Sequence, residues 1–353
     1  MKNKLGLSGL LMAGAAIVAL SATRPAAADD QLTIVSWGGA YQDSQREAYY
    51  KPFAKETGTK ITEEEYDGEY AKLKAQIEAK SVSWDVIDVD ANHAISGCDE
   101  GLIEKLDYSK IGQPKDKFVV GGALDCAVAT IVYATVFAYD ASKLTNGPTT
   151  LADFFDTQKF PGKRGLLKKP FGNLEWALIA DGVSNTDVYK VLATPEGVDR
   201  AFKKLDSIKK DVVWWDAGAL PPQLLSDGQV VMTSAWNGRI YDAVKKNGKN
   251  FKIVWDQQEL DFDYWVIPAG TPRKDLAYKF LAYASDPKIM ANQSKYISYG
   301  PSHADAIPKI APDVLKDLPT APENMKTAFT IDSNFWADNN EQLTERFNAW
   351  LAQ

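Results

Sequence analysis

The first third of the chain alternates short β-branched apolar runs with stretches of helical spacing. Leu32 to Ser36 is an apolar run that ends in Trp37-Gly38-Gly39, and Ala40 to Thr57 turns Tyr49 and Phe53 to one face before Gly58 stops it. Lys60 to Tyr66 reads as a second strand, Tyr70 to Lys80 as a second helix, and Trp84 to Val89 as a third, mostly buried strand. Strand, helix, strand, helix, strand predicts an α/β fold with parallel pairing and crossover helices. Ligands of such sheets sit at the carboxyl ends of the strands.

A long β-rich run from Ala129 to Tyr139, followed by the turn Asn146-Gly147-Pro148, predicts a crossing into a second lobe. There Leu151 to Phe155, Val188 to Val191 and Pro195 to Ile208 read as helices, and Gly165 to Lys168 and Val230 to Ser234 as strands. Tyr264 to Pro268 carries the return crossing. The expected division is 29–139 for the first part of lobe one, 140–264 for lobe two, 265–310 for the rest of lobe one, and 311–353 for a C-terminal helical segment packed mainly on lobe two. Two lobes joined by paired crossings make a cleft that can hinge shut on a ligand.

Composition narrows the class. The chain carries a formal net charge of −7, which argues against a nucleic-acid partner, since phosphate contacts need clustered Lys and Arg. Lys2 and Lys4, an apolar run from Leu5 to Leu20, and Ala26-Ala27-Ala28 before Asp29 form a secretory signal over residues 1–28, with the mature chain starting near Asp29. No later stretch approaches the ~20 apolar residues of a membrane span, and no Cys follows the cleavage point to carry a lipid. The compartment implied is a bacterial periplasm. In that oxidising space Cys98 and Cys126 are expected to pair as a disulfide that closes a surface loop and carries no chemistry.

Catalytic signatures are sparse. The two histidines, His93 and His303, have no second ligand at a spacing suited to zinc and read as surface or capping residues. The mature chain has no Gly-x-Ser-x-Gly elbow, no phosphate-cradling loop and no dinucleotide fingerprint, so neither a metal nor a cofactor is expected. An exported hydrolase working through carboxylates stays open as a lesser alternative.

One set of motifs, in order along most of the mature chain, carries a resemblance. Val35-Ser36-Trp37, Tyr70-Ala71-Lys72-Leu73-Lys74, Trp84-Asp85-Val86-Ile87, Gly101-Leu102-Ile103-Glu104-Lys105-Leu106-Asp107 and Ala235-Trp236-Asn237-Gly238 resemble the periplasmic spermidine/putrescine-binding proteins, substrate-binding subunits of ABC importers. The resemblance implies a type II periplasmic-binding-protein fold: two α/β lobes, a hinge, and a ligand clamped between them. It also implies a monomer that hands its ligand to an inner-membrane permease.

Carried over position by position, the resemblance implies ligand contacts at Trp37, Trp236, Asp263 before the return crossing, and Tyr299 before a Gly-Pro turn, with Asp90 and Asn92 just past the third strand. Gly38 permits the tight turn and offers a helix N-terminus to an anion. Of Trp214 and Trp215 one is expected in the core and one in the cleft, with Trp214 taken as the cleft candidate. Asp85 and Asp88 read as strand-end and cap residues. Two departures bear on the ligand. Where polyamine binders carry acids, this chain has Leu167-Lys168-Lys169-Pro170, and after Trp-Asn-Gly it has Arg239.

A polyamine needs a carboxylate for each end, and Arg239 beside it would repel. A zwitterion with separated ends reverses the requirement, since a planar guanidinium grips a carboxylate while Asp263 or Asp90 takes the ammonium. The sequence therefore favours a small amino acid such as γ-aminobutyrate, the ligand of a subset of this family that the chain is similar to. A polyamine such as putrescine or spermidine is the alternative.

Overall fold

The computed structural model describes residues 30–68 and 70–353, so the expected secretory signal lies outside the described residues. Strand β1 (Gln31–Ser36) lies in parallel between β2 (Lys60–Glu65) and β3 (Val86–Asp90). The first crossover runs unbroken from Gly39 to Thr57, with a π-helical turn at Arg46–Tyr50. It buries Tyr49 and Phe53 as its periodicity requires and ends on Gly58 in the left-handed region. The second crossover contains the helix Ala71–Glu78.

Strand β4 (Val128–Asp140) then leads into the second lobe, where the first lobe's pattern recurs. Here β5 (Arg164–Leu167) lies in parallel between β6 (Val212–Trp215) and β7 (Met232–Trp236). The return strand β8 (Phe251–Val266) pairs antiparallel with β4 along its length and reaches β3 at its end. It starts well before the expected return at Tyr264, because the strand does not stop between lobes. Two short strands complete the sheet: β9 (Gly300–Pro301) on β4 and β10 (Phe329–Thr330) on β8.

The path β2-β1-β3-β8-β4-β7-β5-β6 is thus two parallel three-stranded blocks joined by an antiparallel pair. Each block presents its carboxyl ends to the same gap. This is where a doubly wound sheet binds ligands.

Separate hydrophobic clusters support the two sides. One packs Leu32, Ile34, Phe53 and Trp265 in the first lobe, and another packs Phe137, Phe154, Trp176 and Phe202 in the second. The long C-terminal helix Ser333–Leu351 inserts Trp336, Leu343, Phe347 and Trp350 into the second cluster, and also runs against the first-lobe helix Ala91–Asp99. Cys98 and Cys126 form a disulfide. It does not sit on a surface loop: Cys126 is buried among Trp84, Tyr264 and Ala127, tying the Ala91–Asp99 helix to the residues just ahead of β4. No helix among the described residues is long and apolar enough to cross a membrane.

Candidate functional site: an interlobe cleft

A cavity of about 300 Å³ opens where the strand ends meet. Trp37 comes from the end of β1, Asp90 from β3, Lys168 from just past β5, Asp216 from just past β6, and Trp236 from β7. Asp263 enters from β8, opposite Asp90 in register. Each of the six parallel strands places its last residue, or the one after it, in the wall, the edge strand β2 through Glu65.

On the first-lobe side the wall is built around Asp88, which is fully buried. Its carboxylate accepts from Trp37 Nε1 at 3.0 Å, from the Tyr41 hydroxyl at 2.8 Å and from Gln45 Nε2 at 2.5 Å. A strand-end acid thus fixes two cavity aromatics by their polar tips, which leaves their ring faces for a ligand. Expected only to serve a strand end or cap, Asp88 instead holds the site's scaffold. Asp85 is structural, accepting from the Thr33 backbone N–H, Thr271 and Arg273.

The second-lobe side rests on Trp236-Asn237-Gly238-Arg239. Asn237, buried, accepts from the Ala134 backbone N–H and donates to the Ser298 carbonyl, tying β4 to the turn before Tyr299. Gly238 lies so close to the Tyr299 ring that a Cβ there would approach to 2.5 Å, so only glycine allows the contact. Arg239 is 3% exposed and reaches across the gap, donating from Nη1 to the Gly38 carbonyl at 2.8 Å and from Nη2 to the Trp37 carbonyl at 3.2 Å. Its Nε–H has no hydrogen-bond partner among the described residues. Gly218 packs closely against it and the Trp236 ring: a Cβ there would stand 3.1 Å from Nε and 2.4 Å from the ring.

An aromatic cage closes the rest. Trp37 meets Tyr66 at 5.1 Å and Trp236 at 6.1 Å, Tyr133 stands edge-on to Trp236 and Tyr299, and Tyr41 meets Tyr299 at 5.3 Å. Arg239 lies over the Tyr41 and Trp236 rings.

Asp90 and Asp263 line the cavity with Glu65, Asp67 and Asp216, and the buried Asp88 and Asp261 hydrogen-bond its wall residues Trp37, Tyr41 and Tyr133. Burial pushes Asp88 up to about 7 against the pull of its three donors. Burial and neighbouring aspartates push Asp261 and Asp263 well above the usual carboxylate range. Asp90 goes the other way: burial opposes its charge, but His93 outweighs it through a backbone N–H bond at 3.0 Å and ring contact at 2.7 Å. The site is therefore acidic and short of positive charge.

Of the residues expected here, Trp37, Asp90, Asn92, Trp236, Arg239, Asp263 and Tyr299 all line the cavity. Two are corrected. Trp214 does not reach it: its ring packs edge-on against Phe347 and Trp350 of the C-terminal helix. Trp215, one residue on and facing the other way, supports Trp236 at 5.6 Å from within the core. Gly38 does not line the cavity; its N–H donates to the Gln42 side chain and its carbonyl accepts from Arg239, so its own N–H is not offered to an anion.

Lys168 and Lys169 both line the wall, and Lys169 donates to the Asp67 carbonyl across the gap. His93 is buried in the wall rather than on the surface, and His303, also buried, caps a short 3₁₀ turn. Sequence reasoning missed Tyr41, Tyr133, Asp261, and the helix residues Asn340 and Thr344. The alternation Glu259-Leu260-Asp261-Phe262-Asp263 puts three acids on one strand face and could have revealed Asp261. Among the described residues no three His, Cys, Asp or Glu side chains are placed to hold a metal.

Strand ends converging from two α/β lobes on an acidic aromatic cavity define a solute-binding protein of the type II class. The chain belongs to the bacterial extracellular solute-binding protein family, whose model matches residues 48–323. It is 46% identical over 351 residues to the gamma-aminobutyric acid-binding protein of Pseudomonas aeruginosa, covering 99% of this chain and 97% of that protein. Two solved structures are similar. The Atu4243-GABA receptor superposes with TM-score 0.81 at 36% identity, covering 92% of this chain and 98% of that one. The periplasmic binding protein MotA from Agrobacterium tumefaciens B6, in complex with glucopine, superposes at 0.85 and 32% identity, covering 91% and 99%.

Proposed function

We propose that this protein is the periplasmic capture subunit of an ABC importer and that its ligand is a small amino acid with well-separated charges, γ-aminobutyrate. The observation that carries the reading is the buried Arg239, a guanidinium lining the same cavity as the carboxyl of Asp263. A ligand carboxylate beside the Arg239 guanidinium and an ammonium against Asp263 would satisfy both ends, while the Trp37 and Trp236 faces pack the methylenes. The 46% identical relative and the GABA receptor structure support the same ligand.

The crowd of acids favours a second reading, a polyamine. Three of the four aspartates, however, already have partners: Asp88 accepts from Trp37, Tyr41 and Gln45, Asp90 from His93, and Asp261 from Tyr133 and the Phe262 backbone N–H. That leaves Asp263 for one ammonium, while the buried Arg239 in the same wall opposes a second cation beside it. Arg239 donates to Trp37 and Gly38 of the other lobe, so closure and ligand capture share one side chain; binding shifts the population toward the closed form. The protein acts as a monomer, performs no chemistry, and delivers its ligand to an inner-membrane permease. Equilibrium dialysis with labelled γ-aminobutyrate tests this: the ligand should be retained and recovered chemically unchanged. Failure to retain it, or recovery of a product, would overturn the reading.

A further inference from the structure

Four carboxyl groups sit on one face of the β3–β8 pair. Asp90 stands opposite Asp263 in the antiparallel register, and Asp88 and Asp261 lie two residues from them on the same two strands. Directly opposed side chains of such a pair have Cβ atoms about 5 Å apart. Asp88, Asp261 and Asp263 are buried, and Asp90 is partly so. Two residues beyond Asp261, Glu259 adds a fifth buried carboxyl to the strand face. Like charges this close and this dry cannot all be ionised together.

The groups packed around the four aspartates do not neutralise them. Arg239, on the helix after β7, directs Nη1 and Nη2 to the Gly38 and Trp37 carbonyls rather than to an acid. Among the described residues the one ion-pair partner of the set is the His93 ring, on Asp90. Lys169, past β5, donates to the Asp67 carbonyl. Asp88 and Asp261 accept from neutral donors alone: Trp37, Tyr41 and Gln45 on the first, Tyr133 and the Phe262 N–H on the second. Burial pushes the hydroxyls of Tyr41, Tyr133 and Tyr299 up, so they stay protonated and add no charge. A proton is what remains to relieve the set, and Asp263, which lines the cavity, lies where an incoming cation can replace it.

We propose that ligand capture is coupled to proton release: the empty cleft holds a proton on the Asp261–Asp263 side of this set, and the ammonium of the ligand displaces it. The inference rests on the amino-acid reading above and deepens it. One carboxyl O–H bond breaks, the proton passes to solvent, and an ammonium N–H donates to the carboxylate left behind, so one positive charge replaces another. Affinity then falls as pH falls, because proton and ammonium compete for one position. The ligand itself does not titrate between pH 6 and 8, since its carboxyl group ionises at about 4 and its amine at about 10.

The test is calorimetric titration of the full mature protein with γ-aminobutyrate at pH 7 in phosphate and in Tris, two buffers of different ionisation enthalpy. The difference in apparent heat gives the protons exchanged per ligand bound, and a release of about half a proton or more is expected. The affinity should fall about threefold or more per unit as pH drops from 8 to 6. In Asp261→Asn, which keeps the side-chain shape and can still accept from the Phe262 N–H, the release and the slope should both drop to about half or less. Counting protons per bound ligand removes any contribution from molecules that fail to fold. A proton that came from His93, which titrates in the same range, would survive Asp261→Asn unchanged and overturn the inference. Equal heats in the two buffers, or proton uptake, would overturn it as well and leave the amino-acid reading standing. No binding of γ-aminobutyrate in either buffer would overturn both.

Discussion

Two groups of buried carboxylates lie on this sheet, and they are settled in opposite ways. In the cleft, Asp90 and Asp263 line a cavity together with Arg239, with Asp88 and Asp261 buried beside them. In the second lobe, Glu175 and Glu259 are buried side by side beneath the C-terminal helix. Glu175 accepts from the Tyr189 hydroxyl and from Trp336 Nε1, while neither Glu259 oxygen has a hydrogen-bond partner among the described residues. Burial pushes Glu175 up to about 7 and Glu259 well above its usual range. Burial alone does not make a carboxylate functional. Asp90 and Asp263 border an open cavity, whereas the glutamate pair is enclosed and has only protons to relieve it.

The largest expected effect separates the two groups by ligand affinity. Arg239→Ala and Asp263→Ala should each cost about 2 to 5 kcal/mol of γ-aminobutyrate binding, because each leaves the opposite charge desolvated and unpaired. Glu259→Gln, measured in the same titration, should leave the affinity near that of the wild type. An equal loss in all three variants would erase the distinction.

Stability against pH reverses the ranking. The Glu175 pKa is raised in the folded state, so its favourable contribution is complete below the unfolded value, near pH 4.5, and is lost as pH rises through about 7. Denaturant unfolding should therefore show Glu175→Gln gaining on the wild type between pH 5 and 8, by up to about 3 kcal/mol less whatever its two hydrogen bonds lose in the exchange. A gap that does not widen with pH would remove the pair from the account.

Bracing of the first lobe gives a control of similar size. Replacing Cys98 and Cys126 by Ser should cost about 3 kcal/mol of stability in the chain-entropy model and leave ligand affinity alone, since the bridge lies in the core and lines no part of the cavity. Smallest of all, Trp37→Phe keeps an aromatic face but deletes the indole N–H that Asp88 accepts from. Its cost in binding should be about 1 kcal/mol. A loss as large as that of Arg239→Ala would mean that Trp37 acts through more than its ring.

Much of the site was legible because strand ends announce themselves. Trp37 before two glycines and Trp236 before Asn-Gly stand where β-branched runs stop, and a parallel sheet sends such residues to its ligand edge. Arg239 and Asp263 followed from the resemblance and from charge logic. The choice between Trp214 and Trp215 was not legible, because neighbouring strand residues face opposite ways and only the packed helix Ser333–Leu351 decides which face is core. Asp88 was misjudged because its three donors lie on different turns of a distant segment, and nothing local marks them. Asn340 and Thr344 were missed for the same reason, their contact with the cleft being made by a helix near the end of the chain. The crossings were seen as two short segments, although β4 and β8 are long continuous strands whose pairing joins the lobes.

On the proposed reading, one carboxylate and one ammonium are recognised together in the cleft. Calorimetric titration of the wild type and Arg239→Ala with γ-aminobutyrate and with putrescine tests it directly. The wild type should bind γ-aminobutyrate and bind putrescine, which presents a second cation to Arg239, at least tenfold more weakly; in Arg239→Ala the preference should collapse. Tight putrescine binding that survives Arg239→Ala would contradict the account and restore the polyamine reading.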